Sequence, residues 1–212
     1  MHIPDAFMPI SQGLIYWAIA LVFIALSLRW GRREMDETKV PLMAILAAGI
    51  FVIQAFNLPV AMGTSGHLVG GALAAIVLGS PWAAVFIISL VLIVQGVIFG
   101  DGGLTTMGLN ILNMGVIGGF VGFYSYHGLL SATKSVNLSA FAAGWLACLI
   151  PALAAAVELW IAGTFPLELG VLAMGLYHVL IGIIEGGITL VALRLIASVR
   201  PDILKISNGV SV

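Results

Sequence analysis

Continuous apolar runs, most of them about twenty residues long, constrain this sequence more than any other feature. A helix that crosses a bilayer needs about twenty apolar residues, whereas strands of a membrane β-barrel alternate apolar and polar residues over about ten. Only 8% of the residues are charged, compared with about 25% in an average soluble domain. Lipid must therefore solvate most of the surface. The sequence predicts an all-α integral membrane protein and excludes a soluble or disordered chain.

Seven apolar runs are predicted to span the membrane as a single transmembrane domain that covers residues 1–212. Polar, glycine-containing or proline-containing segments separate the runs, and such segments are typical of loops. An N-terminal arm, residues 1–12, precedes the first run. The predicted spans cover about residues 13–30, 40–56, 67–78, 82–99, 104–126, 138–162 and 169–198.

The positions of lysine and arginine predict the orientation, because the cytoplasmic loops of membrane proteins are enriched in both. With seven spans and the N-terminus outside, all eight basic residues fall on the cytoplasmic side. The cytoplasmic segments are then 29–39, 79–82, 126–136 and 194–212. We therefore expect an external N-terminus and a cytoplasmic C-terminus. Eight basic and nine acidic residues leave no basic surface for nucleic acid.

The two outer histidines and the N-terminus form a candidate metal site. The chain does not begin like a signal peptide, since its first basic residue is Arg29, and we expect Met1 to keep a free α-amine. That amine and the backbone and imidazole nitrogens of His2 can close fused rings around one cation. Such ligation suits Ni(II) or Cu(II), which favour planar nitrogen ligands. His67 is the candidate fourth ligand; the alternative is an ordinary arm with a histidine at a helix end.

A second group of ionisable residues leaves other functions open. His178 and Glu185 are seven residues apart on the last predicted helix, and they form either an acid–base pair of a membrane enzyme or a packed hydrogen-bonded pair. Glu158 and Glu185 are the carboxylates within spans that a stand-alone permease would use. Asn110 and Asn113 could bind loops or orient a ligating imidazole. The single cysteine, Cys148, excludes a disulfide framework.

Three motifs together resemble one known family over essentially the whole chain. The motifs are Met1-His2-Ile3-Pro4-Asp5, Gly66-His67-Leu68-Val69-Gly70-Gly71, and Gly100-Asp101-Gly102-Gly103-Leu104 continued by Asn110 and Asn113-Met114-Gly115. They resemble the NikM/CbiM family, the substrate-capturing S components of energy-coupling factor importers for nickel and cobalt. Family members commonly carry glycine where this chain has Ala6.

The resemblance implies a seven-helix membrane subunit, not an enzyme, that binds a transition-metal ion from outside. The ligands it implies are the Met1 amine, the backbone and side-chain nitrogens of His2, and the side chain of His67. Pro4 and Asp5 resemble the nickel branch, so Ni(II) is the expected ion, and Co(II) for cobalamin synthesis is the alternative. The ion is the transported ligand, and no cofactor is expected.

The resemblance also implies partners and a location. A transmembrane coupling (T) subunit and two ATP-binding subunits would power transport, and a small accessory membrane protein could join them. Ala44 and Ala48 resemble the small-residue face that contacts the coupling subunit. The expected location is the plasma membrane of a prokaryote.

Overall fold

The structure is a computed structural model that describes residues 1–37, 39–60 and 64–204. Eight helices and one antiparallel pair of short strands occupy these residues. The helices are α1 (Ile10–Glu34), α2 (Lys39–Gln54), α3 (Gly71–Val77), α4 (Pro81–Ile98), α5 (Met107–Thr133), α6 (Val136–Ile161), α7 (Leu167–Val199) and α8 (Pro201–Leu204), and the strands are β1 (Leu58–Val60) and β2 (Thr64–Gly66).

The predicted, mainly helical architecture is confirmed, but the helices differ in length. In the described part of the chain, five helices are long and apolar enough to cross a membrane: α1, α4, α5, α6 and α7. Helix α2 is shorter, at 16 residues. The count of seven spans and the orientation therefore stay predictions.

The third predicted span, 67–78, is wrong as a continuous helix. Only Gly71–Val77 is helical, and the residues before it run without regular secondary structure from strand β2. Gly70 has a left-handed backbone (φ +77°), which a helix interior does not accommodate. Side chains of other helices bind the backbone of this segment, so it does not need helical hydrogen bonds.

Small residues on α5 allow the helices to approach closely. A Cβ added at Gly119 would lie 2.6 Å from the Cβ of Ala84, and one added at Gly122 would lie 2.6 Å from the Cα of Ala72. Small residues at a helix interface let backbones approach in membranes, where packing replaces the hydrophobic driving force. The glycine face of α5 therefore packs within the bundle. A π-helical turn, Ile111–Ile117, interrupts α5 beside this face.

The two ends of the bundle differ in character. At one end, the N-terminal arm meets the α4–α5 loop and the α6–α7 turn, where the hydroxyl of Thr164 donates to the carbonyl of Phe7. At the other end, residues from α1, α2, α5 and the segment after α7 line one cleft; they include Glu34, Lys39, Tyr126 and Arg200. The basic residues that the structure describes lie at or near the helix ends on this second side, and Lys205 lies outside the described residues.

Candidate metal centre

The N-terminal arm is bound in one place by the start of α5 and the loop before it. The side chain of Asn110 accepts from the N–H of Ile3 at 2.9 Å and donates to its carbonyl at 3.1 Å. The carboxylate of Asp5 accepts from the backbone of Leu104 at 3.1 Å and of Thr105 at 2.8 Å, and its bond with the Thr105 hydroxyl is the main reason that its pKa is lowered. The arm therefore has a defined conformation up to its first residue.

The Met1 amine lies inside the protein. Met1 is 1% exposed, and its amine donates to the carbonyl oxygen of Ser65 and, at 3.2 Å, to the hydroxyl of the same residue. Burial lowers the pKa of this amine well below its ordinary value. A neutral amine offers a lone pair, which is what a metal ion requires of a nitrogen ligand.

The rings of His2 and His67 are in contact, with their planes tilted by 43°. Their ring centroids are 4.3 Å apart, and both side chains are buried. Nδ1 of His2 lies 2.9 Å from Oδ1 of Asp101, and Nδ1 of His67 lies 2.7 Å from the carbonyl oxygen of Leu68. Because both partners are acceptors, each ring must carry its proton on Nδ1. Each Nε2 then carries a lone pair and is buried, and neither atom has a hydrogen-bond partner among the described residues.

Burial favours the neutral form of His2, since it lowers the pKa of this residue despite the hydrogen bond with Asp101. The hydrogen bond from His2 lowers the pKa of Asp101 in turn. A histidine held through one nitrogen by a carboxylate or a carbonyl, with the other nitrogen bare, is the usual arrangement at a metal site.

His178 is a residue that the sequence reasoning did not assign to this place. Its Nδ1 donates to the carbonyl of Met174 at 2.8 Å, and its buried Nε2 is also unpaired within the described residues. The ring lies against Gly66, since a Cβ added there would be 3.7 Å from Cε1 of His178. The packing of α7 against the segment before α3 creates this contact, and no local pattern in the sequence encodes it.

The acid–base pair proposed for a membrane enzyme does not form. Neither nitrogen of His178 bonds to Glu185, whose two oxygens accept from the backbone N–H groups of Val69 and Gly70. Asn113 does not bond to the arm. Its side-chain amide donates to Glu158 at 2.6 Å. Glu158 and Glu185 thus each bond to a group from a distant part of the chain.

Side chains alone do not complete a metal site in the described residues. No three His, Cys, Asp or Glu side chains there are arranged to hold an ion. The structure does bring together the three residues that the sequence selected: the rings of His2 and His67 are in contact, and the amine of Met1 bonds to Ser65, two residues before His67. Any centre at this point depends on main-chain nitrogens as well as imidazoles.

This protein is similar in sequence to known metal transport proteins. Residues 2–203 match the model of the CbiM family, described as the cobalt uptake substrate-specific transmembrane region. The chain is 37% identical over 207 residues to the putative fused nickel transport protein NikMN of Archaeoglobus fulgidus, covering 97% of this chain and 68% of that protein. It is 32% identical over 213 residues to the cobalt transport protein CbiM of Sorangium cellulosum, covering 96% and 94%.

A solved structure gives the same result for the fold. The crystal structure of a truncated transition metal transporter superimposes with a TM-score of 0.88 at 32% sequence identity, covering 93% of this chain and 99% of that one. The related proteins are named for metal transport, and none of these names describes an enzyme. The chain therefore belongs to the CbiM family of nickel and cobalt transport proteins and is a multi-pass membrane protein.

Proposed function

We propose that this protein captures Ni(II) from outside the cell as the S component of an energy-coupling factor importer. The observation that carries the proposal is the meeting of the Met1 amine, His2 and His67 at one buried point, where Nε2 of His67 has no hydrogen-bond partner within the described residues. This point lies at the end of the bundle opposite the basic residues. An ion that enters there would come from outside, in keeping with the positive-inside rule.

Four nitrogens are proposed to bind the ion: the Met1 amine, the backbone nitrogen of His2, one imidazole nitrogen of His2 and Nε2 of His67. The three nitrogens of the arm close fused rings and are forced nearly into a plane. Ring closure requires Nδ1 of His2, so chelation breaks the hydrogen bond with Asp101 and moves the ring proton from Nδ1 to Nε2. The backbone N–H of His2 releases its proton to solvent when that nitrogen binds the ion. A planar four-nitrogen field favours Ni(II) and disfavours ions that prefer tetrahedral or oxygen-rich sites.

Co(II) is the second candidate ion. The matching family model is described by cobalt uptake, and a relative named for cobalt transport aligns over 96% of this chain. The nickel-named relative is more similar, at 37% identity against 32%. Co(II) accepts nitrogen ligands but has less preference for a plane, so the geometry of the arm supports Ni(II).

Transport is proposed to depend on a transmembrane coupling subunit and two ATP-binding subunits, and a small accessory membrane protein is a further candidate partner. The sequence has no phosphate-binding motif of its own. Ala44 and Ala48 are exposed on α2, where their small side chains suit close contact with another helix.

The proposed topology is one transmembrane domain of seven spans with an external N-terminus, in which the buried segment before α3 and α3 itself together form the third span. Irregular backbone at membrane depth is tolerated where protein surrounds it.

Nickel binding by purified protein with a free Met1 amine tests the proposal. Isothermal titration is expected to show one site, and the loaded protein is expected to be yellow and diamagnetic, as low-spin planar Ni(II) requires. One alanine added before Met1 converts the amine ligand into an amide and is expected to abolish this site. Unchanged affinity in the extended protein, or a paramagnetic six-coordinate spectrum, would contradict the four-nitrogen centre. Competition with Co(II) decides between the two ions.

A further inference from the structure

We propose that Glu185, in the membrane-spanning part of α7, is a positioning residue that fixes His67 in the metal centre by holding the Leu68–Val69 and Val69–Gly70 peptide groups. The inference rests on the proposed function, since it concerns the same centre. Glu185 does not reach the ion itself in this arrangement. It acts through the backbone of Val69 and Gly70.

The contact between Glu185 and this backbone uses the whole carboxylate. One oxygen accepts from the N–H of Val69 at 2.6 Å and the other from the N–H of Gly70 at 2.7 Å. Glu185 is 3% exposed, so water does not compete for these bonds. Two consecutive N–H groups that point to one carboxylate fix both the position and the direction of the chain.

A second side chain holds the same peptide from the other side. The amide nitrogen of Gln54, on α2, donates to the carbonyl of Val69 at 2.7 Å. The irregular segment at membrane depth thus has its polar backbone groups bonded to α7 and α2. Without these partners, buried N–H and carbonyl groups would be left unpaired in an apolar interior, which is strongly unfavourable.

Helix α7 contacts this segment on both sides of His67. Before His67, Gly66 packs so closely on α7 that an added Cβ would lie 2.6 Å from Cδ1 of Ile181. After His67, Glu185 binds Val69 and Gly70. Residues 178, 181 and 185 lie on one face of the helix, since their spacing of three and four follows the helical repeat. His67 is therefore held between two anchor points on a single rigid element.

A carboxylate suits this role better than an amide. Glutamine offers one acceptor oxygen and one N–H₂ group, so one of the two backbone N–H groups would face another donor. The peptide would have to move, and Nε2 of His67 would move with it. Loss of outer partners of metal ligands typically weakens metal affinity by about 10–100-fold, and we expect Glu185→Gln to weaken nickel binding in that range.

A double-mutant cycle with nickel titration tests the inference. The variants are Glu185→Gln, His67→Ala and their combination, with Glu158→Gln as the matched control, because Glu158 is also a carboxylate within a span but bonds to Asn113. If Glu185 acts through His67, Glu185→Gln weakens nickel binding in the wild type and has little further effect once His67 is absent. The electronic spectrum of the Glu185→Gln nickel complex is expected to shift towards that of His67→Ala. Glu158→Gln is expected to leave both affinity and spectrum unchanged.

Three results would overturn the inference. Equal weakening by Glu185→Gln with and without His67 would show a general structural role. Wild-type affinity in Glu185→Gln, together with loss of binding in His67→Ala, would contradict the inference alone. Failure of the wild type to bind nickel would contradict the proposed function and this inference with it. If Glu185→Gln does not fold, Glu185→Asp, whose oxygens are withdrawn by one methylene, takes its place in the cycle with the same expected non-additivity.

Discussion

A single local hydrogen bond orients the ring of His67, the proposed fourth ligand. Its Nδ1 donates to the carbonyl of Leu68, the next residue in the chain, at 2.7 Å. This contact fixes the tautomer and leaves the lone pair of Nε2 towards the buried space beside His2. The ring is thereby ready to bind a cation with little loss of rotational freedom, which favours affinity.

Replacement of His67 by alanine should remove one of the four proposed nitrogens. We expect His67→Ala to weaken nickel binding by more than about 100-fold, beyond the loss that is usual for outer partners of metal ligands. His127→Ala is the matched control, because His127 also bonds through Nδ1 to a carbonyl, that of Phe123, but is exposed near the other end of the bundle. Isothermal titration measures both variants. Undiminished affinity in His67→Ala would remove this residue from the centre.

Ala6 is strained, because its backbone lies in a region that favours glycine. Its φ of +71° places an L-residue in the left-handed region, at a cost of about 1–2 kcal/mol. We expect Ala6→Gly to raise the free energy of unfolding by up to about 1 kcal/mol, because glycine loses more chain entropy on folding. Gly163→Ala is the opposite substitution at a similar backbone angle, since Gly163 has φ +74° and a Cβ there would meet nothing within 4 Å. This variant should have a lower free energy of unfolding. Thermal unfolding in detergent compares the two, and a lower melting temperature for Ala6→Gly would contradict the strain.

The proposed chelate of the arm can be inferred from the sequence because its donors are neighbours in the chain, and it stays a prediction. Met1 and His2 can form fused rings whatever the rest of the protein does, and the distribution of basic residues indicated that His67 shares their side. The contact of His2 with Asp101 joins residues 99 positions apart, and His178 reaches Gly66 only through the packing of α7. No pattern within one segment contains that information.

Among the elements, α3 is the one whose bounds hydropathy predicts wrongly. The run 67–78 is apolar enough to predict a span, but hydropathy does not register which backbone groups find partners elsewhere. Val69 and Gly70 bond to Glu185, so the chain can remain non-helical there and begin its helix only at Gly71. The long helices were predictable because their apolar runs are long enough for a helix to cross a membrane.

The start of α3 should tolerate no side chain larger than hydrogen. A Cβ added at Gly71 would lie 2.9 Å from the carbonyl oxygen of Met114 and 3.2 Å from the backbone nitrogen of Gly119, and neither atom belongs to a flexible side chain. We expect Gly71→Ala to lower the free energy of unfolding by about 1–3 kcal/mol, as overpacking usually does. Gly49→Ala on α2 is the control, because a Cβ there meets nothing within 4 Å. Thermal unfolding in detergent measures both, and equal stability of the two variants would contradict the close contact.

The orientation of the whole molecule in the membrane can be tested by labelling introduced cysteines. Cys148 is fully buried and should not react, so single cysteines can be introduced without removing it. Glu168 is exposed at the end with the arm, and Ser131 is exposed at the other end. In intact cells, a membrane-impermeant maleimide is expected to label Glu168→Cys but not Ser131→Cys. Lysis should expose the second. The opposite pattern would reverse the orientation.

The length of α7 links the two ends of the protein. It runs unbroken from Leu167 to Val199, which is about 50 Å at 1.5 Å per residue, and carries Glu185 on the way. A subunit that binds at the end opposite the arm, and that tilts or slides this helix, would move Val69 and Gly70 with it. The imidazole of His67 would then shift relative to the arm. Such coupling is reciprocal: if docking weakens ion affinity by a given factor, the bound ion weakens docking by the same factor. Loaded and empty protein would then differ in their affinity for the same partner, measurably and without any nucleotide.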